Sequence, residues 1–226
     1  MRILIINPNT SEEISRTIDV AAKKYASPMT EISTVNPPDG PKFITDAYAE
    51  AVQAVKVMHL IENNKDNYDV FIIACAADPG LIPSRTITQN VIGMGEAGIM
   101  TACAVAERFS FLRVSKRRAP LVWKQLHYLG IDQRRCASVR VVGSGVGHDI
   151  SNIIEKRHQM IELYCEVGRK CVRADGAGAI VLHGAGIVDL KEILEASLKV
   201  PVISGVASAV KIAEQLPLFT LSHQDL

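Results

Sequence analysis

The chain has 226 residues, 48% of them apolar and only 5% aromatic, with 25 basic residues against 24 acidic ones. That is length enough for one large or two small α/β domains with real cores. A formal net charge of +1 with interspersed signs offers no face for nucleic acid or a polyanion, and no run of about 18 apolar residues marks a membrane span.

The first strand is expected at 2–7 (RILIIN). The start MRILIINPNTS is a short apolar run ending in a turn, not a signal peptide, so a cytoplasmic protein is expected. Further β-branched runs predict strands at 31–35, 69–75, 91–94, 109–114, 137–142, 178–182 and 201–204. Helical patterns fall between them, near 11–26, 45–63, 96–108, 117–129, 152–173, 189–198 and 205–216. Helix starts are marked by Thr10 and Ser11 before Glu12 and Glu13, by Thr45 before Asp46, and by Ser151 before a run ending in Glu155. Pro37-Pro38-Asp39-Gly40-Pro41 reads as a rigid loop. Alternation of this kind gives parallel sheets with right-handed crossovers.

The chain repeats itself weakly. IIACAADPG (72–80) and IVLHGAGI (180–187) both run from an apolar strand into a small-residue turn. Each is followed by a short strand and an Ala-rich helix. The fold expected is α/β, with two pseudo-symmetric lobes, each a parallel sheet of about four strands flanked by helices. The first lobe is expected to comprise 1–95 plus 205–226 and the second 96–204. Ligands bind at the C-terminal ends of strands in open α/β sheets, so the active site is expected in the inter-lobe cleft, where the 75–80 turn faces the 183–187 turn.

Five cysteines in no C-x-x-C pair argue against a disulfide framework or a structural zinc site. Cys75 stands out. It ends an apolar strand and precedes Ala76-Ala77-Asp78-Pro79-Gly80, whose backbone N–H groups and following helix can lower a thiol pKa and bind an anion. The other reading is a buried, inert thiol, and for Cys103, Cys136, Cys165 and Cys171 that reading is preferred. Asn9, in the turn after the first strand, can bond a substrate carbonyl, or can serve the turn alone. Gly143-Ser144-Gly145-Val146-Gly147 lacks dinucleotide-binding spacing and reads as a rim loop. His59, His127, His158 and His223 share no metal-ligand spacing and are read as surface residues. No metal site is expected.

On these motifs the chain resembles the hydantoin/allantoin racemase branch of the aspartate/glutamate racemase superfamily. The resemblance rests on INPNTS (5–11), ACAADPGL (74–81), VIGMGEA (91–97), RFS (108–110) and the stretch from IVLHGAGI to PVISGVASAVK (180–211). It implies a cofactor-independent, homo-oligomeric isomerase acting on a small molecule: a hydantoin, a ureide or a carboxylate. In such enzymes two thiols flank a carbon acid next to a carbonyl, one removing a proton and the other delivering one to the opposite face. Cys75 matches the first thiol, and the two small-residue turns, with Ala76 and Ala77 in one and Gly184, Ala185 and Gly186 in the other, are expected to bind the substrate through N–H donors.

The second thiol does not match. The family pattern looks like Leu-Gly-Cys-Ala-Gly, and this chain reads Leu182-His183-Gly184-Ala185-Gly186. Three readings follow. His183 serves as the second acid/base, although strand alternation points it away from the direction of residue 184. Alternatively Cys75 works on one face only, as in a decarboxylase or lyase; the arylmalonate decarboxylases of the same superfamily resemble this logic with a single cysteine on the other lobe. In the third reading the cleft binds a small molecule without catalysis. A further departure is RVSKRRAP (113–120), where relatives carry small polar residues. Arg113, Lys116, Arg117 and Arg118 either make that end of the cleft basic and favour a carboxylate, or form a solvated charge run.

Overall fold

The computed structural model describes residues 1–114, 119–142 and 157–216. Two four-stranded, all-parallel sheets organise it. The first joins β1 (Arg2–Ile6), β2 (Glu31–Val35), β3 (Val70–Ile73) and β4 (Val91–Gly93) in the order β2-β1-β3-β4. The second joins β5 (Phe109–Arg113), β6 (Cys136–Val141), β7 (Ala179–Leu182) and β8 (Val202–Ser204) in the same relative order, β6-β5-β7-β8. The inner strands are nearly continuous apolar runs because helices cover both faces. The edge strands β2 and β6 are only partly buried and carry Ser, Thr and Arg side chains.

Among the described residues the α-helices are α1 (Glu12–Tyr25), α2 (Ala47–Glu62), α3 (Leu81–Ser84), α4 (Met94–Val105), α5 (Ala119–Tyr128), α6 (Arg157–Arg173), α7 (Lys191–Leu198) and α8 (Gly205–Gln215). Ser11 caps α1 by accepting from the Ile14 N–H at 3.4 Å. Asp46, rather than Thr45, caps α2 by accepting from the Ala49 N–H at 2.9 Å. The single turn α3 contains Pro83 and has no period to reveal it in sequence. A 3₁₀ turn, Ala185–Leu190, precedes α7 and delays its start. Ser151, the beginning of the expected 152–173 helix, the glycine run from Gly143 to Gly147, Lys116, Arg117, Arg118 and His223 lie outside the described residues, as does the side chain of His158. His59 and His127 are exposed.

The expected third strand runs to Cys75, whereas β3 pairing stops at Ile73. The Ala74 N–H still donates to the Ile6 carbonyl at 2.8 Å, but the Cys75 carbonyl accepts from Asp78 N–H at 2.9 Å and closes a turn. Cys75 therefore belongs to the turn rather than to the strand.

Two helices cross between the sheets. α4 leaves β4 of the first sheet, yet its Ile99 and Ala102 pack on Phe109, Phe111, Val181 and Ile203 of the second. α8 leaves β8 of the second sheet, and its Val206, Ala209, Val210 and Ala213 pack on Ile3, Ile5 and Ile72 of the first. The two helices meet through glycines. A Cβ on Gly205 would lie 2.4 Å from the Met94 carbonyl oxygen, whereas one on Gly98 would meet nothing closer than 3.4 Å. Gly205→Ala is therefore expected to cost about 1–3 kcal/mol by overpacking, and Gly98→Ala to stay within about 0.5 kcal/mol of wild type, as read from urea unfolding midpoints.

Candidate active site

In each sheet the strand order reverses direction beside the first strand in sequence, between β1 and β3 and between β5 and β7. Such reversal points open a crevice at the strands' C-terminal ends. The two crevices face each other here. A cavity of about 120 Å³ is lined by Asn9 after β1, Ala74, Cys75, Ala76 and Ala77 after β3, Arg113 and Val114 at the end of β5, and His183 to Ile187 after β7. Phe43 and Ile44, from the segment after the proline-rich loop, complete it. The cavity brings together the residues expected to act in catalysis or substrate binding: Asn9, Cys75, Ala76, Ala77, His183, Gly184, Ala185 and Gly186. A larger hollow of about 460 Å³ lies between α1 and the 3₁₀ turn and contains none of them except Gly186.

Cys75 is partly exposed to this cavity, whereas Cys136, Cys165 and Cys171 are buried in packed cores. Burial pushes the Cys136 thiol up to about 11 and also raises those of Cys103 and Cys171, so these three stay protonated at neutral pH. Beside Cys75, Ala76 and Ala77 are buried, and among the described residues neither backbone N–H donates to a protein acceptor. They form a small donor surface on one side of the cavity. On the other side Ala185 and Gly186 open a 3₁₀ turn, whose first N–H groups have no partner within the turn.

Asn9 is held by its loop. Its Oδ1 accepts from the Ser11 N–H at 2.9 Å and from Asn7 Nδ2 at 3.1 Å, which leaves its own amide N–H groups on the cavity side. Asn7, fully buried, also donates to Ser15 Oγ at 2.9 Å and braces the turn.

The helix expected behind Cys75 is only the single turn α3, and Asp78 takes over the N-terminus of α4 instead. Asp78 sits in the left-handed region (φ 49°) and accepts from the N–H groups of Gly95 and Glu96 at 2.8 and 2.7 Å. Its carboxyl is wedged where Cβ atoms on Gly93 or Gly95 would collide with it, so its oxygens are enclosed although its backbone edge is not. Burial pushes this carboxyl up to about 7, with a further rise from Glu96, against the two N–H bonds and the charge of Arg85, which pull it down.

His183 extends the β7 pairing, its N–H donating to the Leu112 carbonyl at 2.9 Å. That register places it beside Arg113 on the neighbouring strand. Both side chains are buried, each with 4% of its surface exposed. Arg113 Nη1 contacts His183 Nδ1, and His183 Nε2 lies 3.0 Å from Gln125 Oε1. A guanidinium only donates, so Nδ1 accepts, and the ring proton sits on Nε2 and goes to Gln125. Gln125, from α5, then donates through Nε2 to the Ala76 carbonyl at 2.6 Å. A chain of hydrogen bonds thus runs from Arg113 in the second sheet to the turn carrying Cys75 in the first. Gln125 had no sequence signal: it lies on an ordinary amphipathic helix, and only the tertiary fold brings it to Ala76.

Gly184 is extended (φ 179°, ψ 133°), a conformation open to any residue. A Cβ there would meet Val114 Cγ2 at 3.5 Å and Ile187 Cγ1 at 3.6 Å, ordinary contacts. Neither backbone nor space requires glycine at this position. Among the described residues no cluster of three or more His, Cys, Asp or Glu side chains can hold a metal ion, and no helix is long and apolar enough to cross a membrane.

A family model described as Asp/Glu/hydantoin racemase matches residues 3–213. Hydantoin racemases from Pseudomonas sp. (strain NS671) and Paenarthrobacter aurescens are each 34% identical, over 96% of this chain and 86% and 91% of theirs. The structure of an allantoin racemase from Klebsiella pneumoniae superposes with a TM-score of 0.90 at 36% identity, covering 100% of this chain and 92% of that one.

The enclosed Asp78 carboxyl gives a pH signature. Its folded pKa lies above its unfolded one, so the stability tied to its proton is full below the ordinary carboxylate range and is lost as pH rises through about 7. Urea unfolding from about pH 5 to about pH 8 is expected to show wild type losing stability relative to Asp78→Asn, which does not titrate; parallel curves would place the carboxyl in water.

Proposed function

The chain belongs to the Asp/Glu/hydantoin racemase family, and from that premise we propose a cofactor-independent racemase-type isomerase acting at a carbon acid next to a carbonyl, with Cys75 as its proton-transferring group. The substrates this reading favours are 5-substituted hydantoins, allantoin and related amino-acid derivatives, in keeping with the names hydantoin racemase and allantoin racemase of the similar proteins. The observation that carries it is the position of Cys75: a partly exposed thiol in a cavity between two turns whose Ala76, Ala77, Ala185 and Gly186 backbone N–H groups, among the described residues, donate to no protein acceptor.

In this reading the Cys75 thiolate takes the proton from the stereogenic carbon, forming S–H as the C–H bond breaks. The electron pair moves onto the neighbouring carbonyl oxygen. N–H groups of Ala76 and Ala77 on one side, or of Ala185 and Gly186 on the other, stabilise that oxyanion, and the Asn9 amide orients the substrate. Return of a proton from Cys75 restores the starting configuration. Inversion needs a proton from the opposite face, where Gly184 stands.

His183 does not suit that role. Both its ring nitrogens are engaged, with Arg113 and with Gln125, and it acts as a positioning residue that braces the Cys75 turn through Ala76. The second proton then comes from water admitted where the Gly184 side chain is missing, a slower donor than a fixed thiol. The same engagement of His183 favours a second reading, one-faced chemistry of the decarboxylase or lyase kind, in which a proton is only ever delivered from Cys75.

Polarimetry on single enantiomers of 5-substituted hydantoins and allantoin tests the assignment. Cys75→Ser is expected to lower racemisation by about 100-fold or more, and Gly184→Cys to raise it by about tenfold or more, the range of a positioned acid or base. Undiminished activity in Cys75→Ser would remove the thiol from the mechanism.

A further inference from the structure

The cavity around Cys75 holds about 120 Å³, and the hollow between α1 and the 3₁₀ turn holds about 460 Å³. Sites that enclose a small molecule are usually about 300–1,000 Å³, so the first is too small by itself and the second is not. Ile14, Phe43, Gly186 and Ile187 border both. The divide between the two spaces is therefore built from three apolar side chains and one glycine. It is thinnest at Gly186, where a Cβ would meet only the Ile14 side chain, at 3.9 Å. Beyond the divide the inner wall of the hollow is apolar: Ala21, Val188 and Leu190 are buried, and Met160 is half-buried. Its charged members stand at the exposed rim, where Lys24 Nζ pairs with Glu192 Oε1 at 2.6 Å. The Tyr25 hydroxyl donates to the same carboxylate. The rim charges thus satisfy one another and leave hydrocarbon surface inside for a ligand to cover.

We propose that this hollow is the substituent subsite of the active site, with Ile14, Phe43 and Gly186 deciding what passes into it, so that the preferred substrates carry a large apolar group on the reactive carbon. The small cavity then takes the ring and its carbonyl, beside Cys75 and the backbone donors, and the substituent runs past Gly186 against Ile14, Val188 and Leu190. An aromatic or long aliphatic group covers the apolar wall and gains from leaving water. A polar substituent such as the urea of allantoin would give up its hydrogen bonds to water there without replacement. Thr17 sets the depth of the hollow. It lies one turn after Ile14 on α1, lines the hollow but not the catalytic cavity, and turns its hydroxyl back to the Glu13 carbonyl at 3.1 Å. The proposal rests on the cleft being the active site, and it concerns which molecules enter rather than how the proton moves.

Isothermal titration of the wild-type protein with racemic 5-methylhydantoin, 5-benzylhydantoin and allantoin reads the subsite directly, because the three share a ring and differ in the substituent. The benzyl compound is expected to bind at least about tenfold more tightly than either of the others. Thr17→Trp, which fills the hollow from α1, should remove that advantage. Equal binding of the three, allantoin binding as tightly as the benzyl compound, binding of none, or an advantage that survives in a folded Thr17→Trp would each overturn the proposal. The wild-type comparison alone decides if the variant fails to fold. Polarimetry on single enantiomers of the same compounds separates this proposal from the catalytic one. A benzyl preference in binding with no racemisation of any compound would retain the subsite and discard the mechanism. Racemisation that depends on Cys75, with equal binding of the three, would do the reverse.

Discussion

The contact on which the site depends is the crossing of α4 and α8. Each helix starts at the last strand of one sheet and buries its apolar face on the other sheet, so neither sheet has a complete core without the partner's helix. Gly205 lets the two helices approach until only a hydrogen fits against the Met94 carbonyl. With the sheets locked in this way, their reversal points face each other, and the turns that follow β1, β3, β5 and β7 close on one small cavity. The chemistry of the site therefore follows from helix packing several residues away from it.

Identical strand order in the two sheets makes the cleft symmetric in backbone, and the side chains break that symmetry. On the first side stand a thiol, two alanines whose N–H groups meet no protein acceptor among the described residues, and a carboxamide. On the second stand a guanidinium, an imidazole and a glycine. The Arg113–His183–Gln125–Ala76 chain joins the two sides and ties the Cys75 turn to a charge on the opposite sheet. Asp78 ties the same turn to the N-terminus of α4, the helix that crosses. Cys75 is thus held between two buried polar anchors while its own side chain remains partly exposed, an arrangement suited to a group that must keep its place and still reach a substrate.

Much of this was legible in the sequence. The eight strands were evident because inner parallel strands are runs such as VFII and AIVL bounded by turn residues, and the edges moved by only a residue or two. The weak internal repeat pointed to facing turns, and the cavity does contain Asn9, Cys75, His183 and Gly184 together. What stayed hidden depends on contacts distant in the chain. Gln125 meets Ala76 across 49 positions and His183 across 58, and nothing on the surface of α5 marks it. Asp78 reads as a turn residue, and its role as the cap of α4 requires a left-handed backbone that sequence does not show. The one-turn α3 was not among the expected helices, because four residues including Pro83 are too few to show a helical period.

The cavity is lopsided, with the thiol of Cys75 in one turn and a glycine, Gly184, in the corresponding turn of the other sheet. A single enantiomer incubated with wild-type protein in D2O tests proton transfer through one thiol most directly, with the unreacted pool and the inverted product separated on a chiral column and their deuterium content measured by NMR. Proton exchange through one thiol predicts deuterium accumulating in the unreacted enantiomer faster than inversion proceeds, since Cys75 exchanges with solvent and returns a deuteron to the same face. Deuterium confined to the inverted product would show two bases of equal standing and contradict the account.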